Sequence, residues 1–142
     1  RAEALGVAVH FHQMDAADLR FPDGSFDLVV SHNMLHEIGA GKRRRAMAEA
    51  LRVVRPGGLV IFQDVDTRFA PTEVHKVEKN WDTAFNGEIF WQVYNEADLV
   101  ADMRAAGFAE TDLREHNVSA VSNINRWYVI SGRKPADGAP TA

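Results

Sequence analysis

Three apolar runs in the 142-residue chain each give way to polar residues: Gln13, Met14 and Asp15 after Val7 to Phe11, Ser31, His32 and Asn33 after Phe26 to Val30, and Gln63, Asp64 and Asp66 after Leu59 to Phe62. In open α/β sheets ligands bind outside the carboxyl ends of the strands, so these residues stand where a site would form. Strand ends are also polar simply because they meet water, and the pattern alone leaves both readings open.

His36 with Glu37 beside it offers a general base, since an imidazole titrates near neutral pH and can take a proton from an oxygen or nitrogen acceptor. The alternative is that His36 packs against its neighbours and moves no proton. His32 and His36 have the four-residue spacing that a helix turns toward one ion, but a third ligand is not evident and no metal is expected. His10 and His12 share one strand face and read as solvated.

Trp81, Phe85, Phe90, Trp91 and Tyr94 fall within fourteen residues. Trp81 and Phe85 lie on the apolar stripe of a helix and are expected in the core, whereas Phe90, Trp91 and Tyr94 lie off that stripe and are the better candidates for a substrate pocket. Gly41-Lys42 is not a phosphate loop, because Arg43 stands where serine or threonine is required. The four cations Lys42 to Arg45 oppose the dipole at a helix start, which suits either an anionic partner or a solvated surface.

The elements that must hold these residues follow from periodicity. Val7, Val9 and Phe11 alternate with Ala8, His10 and His12, which predicts a strand over Val7 to Phe11. Phe26 to Val30 predicts a strand covered on both faces of a parallel sheet. Met47, Ala50, Leu51 and Val54 predict a helix over Lys42 to Val54, stopped by Pro56, and Gly57 and Gly58 turn the chain into a third strand, Leu59 to Phe62. Strand, helix and strand make a βαβ unit. A further helix begins near Pro71, carries Val74, Val77, Trp81, Ala84 and Phe85, and ends at Gly87. Asn95 can cap another with the face Leu99, Val100, Met103 and Ala106, closed by Gly107. Thr111 to His116 and Arg126 to Ser131 predict a hairpin at the sheet edge, and the tail 135–142 has no apolar period and is expected to be disordered.

At 15.8 kDa, with 46% hydrophobic and 25% charged residues, the chain has the composition of one globular domain over residues 1–134. A net charge of −4 with no long basic run argues against nucleic acid as a partner. No apolar run approaches the ~18 residues of a membrane span, so no membrane association is expected. The lack of cysteine excludes disulfides and thiolate chemistry and agrees with a cytoplasmic location.

The stretches DAADLRFPDGSFDLVVSHNMLHEI from Asp15 to Ile38 and LRVVRPGGLVI from Leu51 to Ile61 resemble, in order and spacing, the middle of a class I S-adenosylmethionine-dependent methyltransferase of the small-molecule type. The resemblance runs more weakly to the terminal hairpin and covers Val7 to Arg133. It implies an α/β fold: an incomplete Rossmann-like sheet, mostly parallel, with a C-terminal antiparallel hairpin. It also implies S-adenosylmethionine as cofactor and a small-molecule acceptor. In the family the acidic residue matching Asp15 accepts from the adenine amino group, the position of Ala16 meets the ring edge with Met14 beside it, and the backbone at Ser31 approaches the methionine part. The segment His32 to His36 lines the wall between cofactor and acceptor.

The departure lies at the start of the chain. The family's glycine-rich loop and the acidic residue that binds the ribose belong before Arg1, and only about half of the cofactor site is present. In the complete fold two strands lie between Val7 to Phe11 and Phe26 to Val30, so their loss opens a gap of about 14 Å. Unpaired edges are costly. The expectation is therefore a piece of a longer chain supplying the missing N-terminal segment, direct pairing of the two strands, or a homodimer filling the gap. A noncatalytic module acting by association, either with itself or with a partner, is the rival to methyl transfer.

Overall fold

The runs at Phe26 and Leu59 pair side by side and in parallel, as a βαβ unit requires. The computed structural model describes residues 3–66, 77, 81, 84–85, 87–119 and 126–136. Within them β1 (Phe26–His32) pairs with β2 (Val54–Val65), and α1 (Ala40–Val53) makes the crossover. β3 (Leu113–Ser119) and β4 (Arg126–Arg133) form the expected hairpin, with β4 antiparallel to both β2 and β3. The resulting mixed sheet of four strands has the order β1-β2-β4-β3 and does not close.

The helix gives way directly to the strand. A pyrrolidine ring at position 56 would clash with the carbonyl of Arg52 in a continued helix. That carbonyl instead accepts from the Gly24 amide at 3.0 Å and from Lys134 Nζ at 3.2 Å. Gly58 is obligatory by contact, because a Cβ there would lie 2.6 Å from Val54 Cγ2 and 2.8 Å from the Asp27 carbonyl. β2 then alternates, burying Val60, Phe62 and Asp64 on one face.

On that face Met47 of α1 and Ile130 of β4 join Val60 and Phe62 in the core, together with α2 (Trp91–Asn95) and α3 (Leu99–Ala105). Met47, Met103 and Ile130 are fully buried, each stabilising the fold by about 1.5–3 kcal/mol. Three of the four cations at the start of α1 have internal partners: Lys42 pairs with Asp15, and Arg43 and Arg44 both bind the buried Asp102 of α3.

Four expectations are corrected. Val7 to Phe11 forms no strand and does not pair with β1, and Phe11 is 91% exposed; a strand needs a neighbour to take its amides, and none of the described strands lies beside it. β1 is covered on one face only, with Leu28 and Val30 half exposed, because α1, α2 and α3 share the core on the other face. Asp98, not Asn95, caps α3, its carboxylate accepting from the Ala101 amide at 2.9 Å. Val77, Trp81, Ala84 and Phe85 are helical as expected, but Trp81 and Phe85 stack on each other at 4.2 Å and stay exposed outside the core. Pro71, Val74 and residues 137–142 of the tail lie outside the described residues. Among those described, no helix is long and apolar enough to cross a membrane.

Candidate functional site

At and beyond the paired carboxyl ends of β1 and β2 stand some of the residues singled out from the sequence, Ser31, Asn33, His36 and Asp64. Ser31 and His32 pair in register with Phe62 and Gln63, and the Asn33 amide donates to the Gln63 carbonyl at 2.9 Å. Asn33 then turns left-handed (φ 51°), a conformation that asparagine tolerates better than most side chains. Ser31 Oγ and Asn33 Oδ1 are both buried without a hydrogen-bond partner. Such atoms are rare unless a ligand or water completes them.

Three residues beyond, a 3₁₀ turn over Leu35–Glu37 presents His36 to Asp64 of β2. Asp64 is 1% exposed. One of its oxygens accepts from the Leu35 amide at 2.7 Å; the other accepts from the Val65 amide at 2.8 Å and lies 2.5 Å from His36 Nδ1. With Nδ1 donating its hydrogen to Asp64, the ring carries its lone pair on Nε2. Nε2 lies 3.3 Å from Glu37 Oε1. Burial alone would push the His36 pKa down, but the Asp64 hydrogen bond, with the charges of Asp64, Glu37 and Glu88, outweighs it and raises the pKa above the usual 6.5.

Two aromatic residues contact this imidazole. Trp91 meets it edge-on at 4.8 Å and Tyr94 lies 6.1 Å away, both from α2. Tyr94 donates to the Val65 carbonyl at 3.2 Å, and burial raises its pKa. Trp91 Nε1 and Asn95 Oδ1 are buried and unpartnered. A cavity of about 480 Å³ adjoins α2 and α3, lined by Val65, Asp66, Tyr94, Asn95, Leu99 and Tyr128 among others, and neither His36 nor Trp91 is part of its lining. Phe90 is set apart from His36 and packs on Gly39, where a Cβ would lie 3.3 Å from its ring. His32 also stands apart, its ring 5.4 Å from Trp127 of β4.

Asp15 sits in a loop fastened to α1. Its Oδ1 accepts from the Ala17 amide at 2.9 Å and its Oδ2 pairs with Lys42 at 2.9 Å, and these contacts hold its carboxyl below the usual range. Arg52 straps the same loop, donating to the carbonyls of Leu19 and Phe21 and to Asp23. Met14 and Ala16 beside Asp15 are half-buried. The structure thus joins His36 to Trp91 and Tyr94 and leaves Asp15 in a separate loop tied to the same helix end. Asp64, the anchor of His36, stands out in the sequence only as a polar strand end, because the pairing depends on two segments 28 residues apart.

A family model described as "Methyltransferase domain" matches residues 1–62. An arsenite methyltransferase of Aquipseudomonas alcaligenes is 30% identical over 128 residues, which cover 86% of this chain and 35% of that protein. A demethylmenaquinone methyltransferase of Clavibacter sepedonicus is 28% identical over 144 residues, covering 90% and 58%. The fold is shared with an S-adenosylmethionine-dependent methyltransferase of Thermotoga maritima at a TM-score of 0.62 and 24% identity, over 94% of this chain and 67% of that one. The chain spans between about a quarter and about a third of the first curated relatives. Sequence blocks, strand order and fold agree with those of class I S-adenosylmethionine-dependent methyltransferases.

Proposed function

We propose that these residues serve methyl transfer from S-adenosylmethionine to a small-molecule acceptor, with His36 taking the acceptor's proton. The observation that carries this reading is the imidazole held by a buried carboxylate at the carboxyl edge of the sheet, between aromatic side chains. The residues present fit the cofactor: Ser31 Oγ and Asn33 Oδ1 are orphaned where its methionine part would lie, and Asp15, with Met14 and Ala16 beside it, keeps lone pairs for an adenine amino group. His32, stacked toward Trp127, stands at the outer wall. When bound, S-adenosylmethionine supplies an electrophilic methyl and leaves as S-adenosylhomocysteine.

The chain's own part is positioning and proton removal. Trp91 and Tyr94 shape the acceptor side, Phe90 holds α2 against Gly39, and the unpartnered Trp91 N–H and Asn95 carbonyl offer one donor and one acceptor to the substrate. His36 Nε2 would take the hydrogen that the acceptor oxygen or nitrogen gives up, and Asp64 would stabilise the imidazolium.

The test is carried out on the protein that contains these 142 residues. Binding of S-adenosylhomocysteine is read by calorimetry and methyl transfer is screened over small hydroxyl and amine acceptors. His36→Gln is expected to lower turnover by roughly 10²–10⁴-fold with cofactor affinity kept. Full turnover in that variant would leave alignment alone as the chemistry.

A further inference from the structure

We infer that His36 Nε2, Glu37 and Glu88 form a site for a divalent transition-metal ion, and that an ion there silences the proton acceptor. The ligating atoms of the three residues lie within 4.8 Å of one another, and His36 Nε2 and Glu37 Oε1 are already 3.3 Å apart. That is about the separation of two ligands on a tetrahedral ion bonded at about 2.0–2.2 Å. Glu37 is more than half exposed and free to turn, so Glu88 is the residue that must come closer.

Two independent observations point to a cation. First, Glu88 Oε2 is buried with no hydrogen-bond partner, and no lysine or arginine among the described residues pairs with Glu37 or Glu88. A buried carboxylate oxygen without a partner is costly, and a cation is its natural complement. Second, His36 is 8% exposed and its Nδ1 is committed to Asp64, the arrangement in which a carboxylate orients a histidine to ligate through its other nitrogen. Asp64, Glu37 and Glu88 together bring three negative charges to one imidazole. One nitrogen and two carboxylates suit zinc, cobalt, iron or manganese better than magnesium or calcium.

An ion on Nε2 occupies the lone pair that the proposed transfer needs, so this consequence rests on that reading, whereas the binding itself does not. The chelator-stripped protein is titrated with Zn²⁺ by calorimetry and with Co²⁺ by visible absorption. One ion per chain is expected. Glu88→Gln should weaken it roughly 10–100-fold, and His36→Gln should abolish the cobalt band. Circular dichroism checks that both variants fold, and Glu88→Gln removes no hydrogen bond at Oε2. No stoichiometric ion, or one that survives both substitutions, overturns the site. Where turnover is measurable, Zn²⁺ should inhibit it, chelator should restore it, and Glu88→Gln should resist inhibition. An ion that binds at this site without inhibiting overturns the silencing while leaving the site in place.

Discussion

His36 has a pKa raised by Asp64, Glu37 and Glu88 despite its burial, and two consequences of opposite sign follow. The proposed proton transfer requires the neutral ring, so in metal-free protein the rate should climb with pH through an inflection above 6.5 and then level. Asp64→Asn should move that inflection down. Stability runs the other way. A histidine whose folded pKa exceeds its unfolded value contributes fully below about 6.5 and loses that contribution as pH rises through the folded value. Thermal unfolding against pH, with chelator present, should show this slope in the wild type and a flatter profile in His36→Gln; identical profiles would remove the charged pair from the account. Asp15 makes a separate prediction: Asp15→Ala should weaken S-adenosylhomocysteine roughly tenfold by calorimetry, the loss of one charged hydrogen bond. These residues were legible by type, in polar stretches that follow apolar runs. The carboxylate that anchors His36 was not, because no periodicity links Leu35–Glu37 to β2.

At the scale of elements, the junction between α1 and β2 sets the site's geometry, since it determines how far β2 runs before Asp64 emerges beside His36. Gly58→Ala forces a Cβ against the Asp27 carbonyl, and backbone cannot yield as a side chain can. A loss of about 1–3 kcal/mol in denaturant unfolding is expected, with β1 displaced from β2. Asp98→Ala removes the cap of α3 and should cost about 1 kcal/mol. The face of α3 was readable from Leu99 and Met103, whereas its cap was misplaced by three residues, because Asn95 and Asp98 are both good caps and Asn95 is the last residue of α2. The strand expected at Val7 to Phe11 failed for a related reason: alternation describes a side-chain pattern, and a strand exists only where a neighbour accepts its hydrogen bonds.

For the whole molecule, the sheet presents β1 as an edge with Leu28 and Val30 half exposed and Phe11 nearby in sequence almost fully so. We propose that this edge takes a further strand, from another copy or another segment. If the strand comes from another copy, the 142-residue chain associates with rising concentration in sedimentation velocity; a strict monomer at every concentration would refute the copy and leave another segment as the source. What the sequence by itself determined is the part carried by local pattern and contiguous blocks: the βαβ unit, the terminal hairpin, the family resemblance, and the polar stretches after the apolar runs, with Asp15, Ser31 and His36 in them. Only the tertiary structure decided that Asp64 holds His36, that Trp91 and Tyr94 face it while Phe90 packs on Gly39, and that Glu88 is left with an unpaired buried oxygen. Those facts are contacts between segments distant in the chain, and burial, charge and unsatisfied hydrogen bonds arise only when such segments meet.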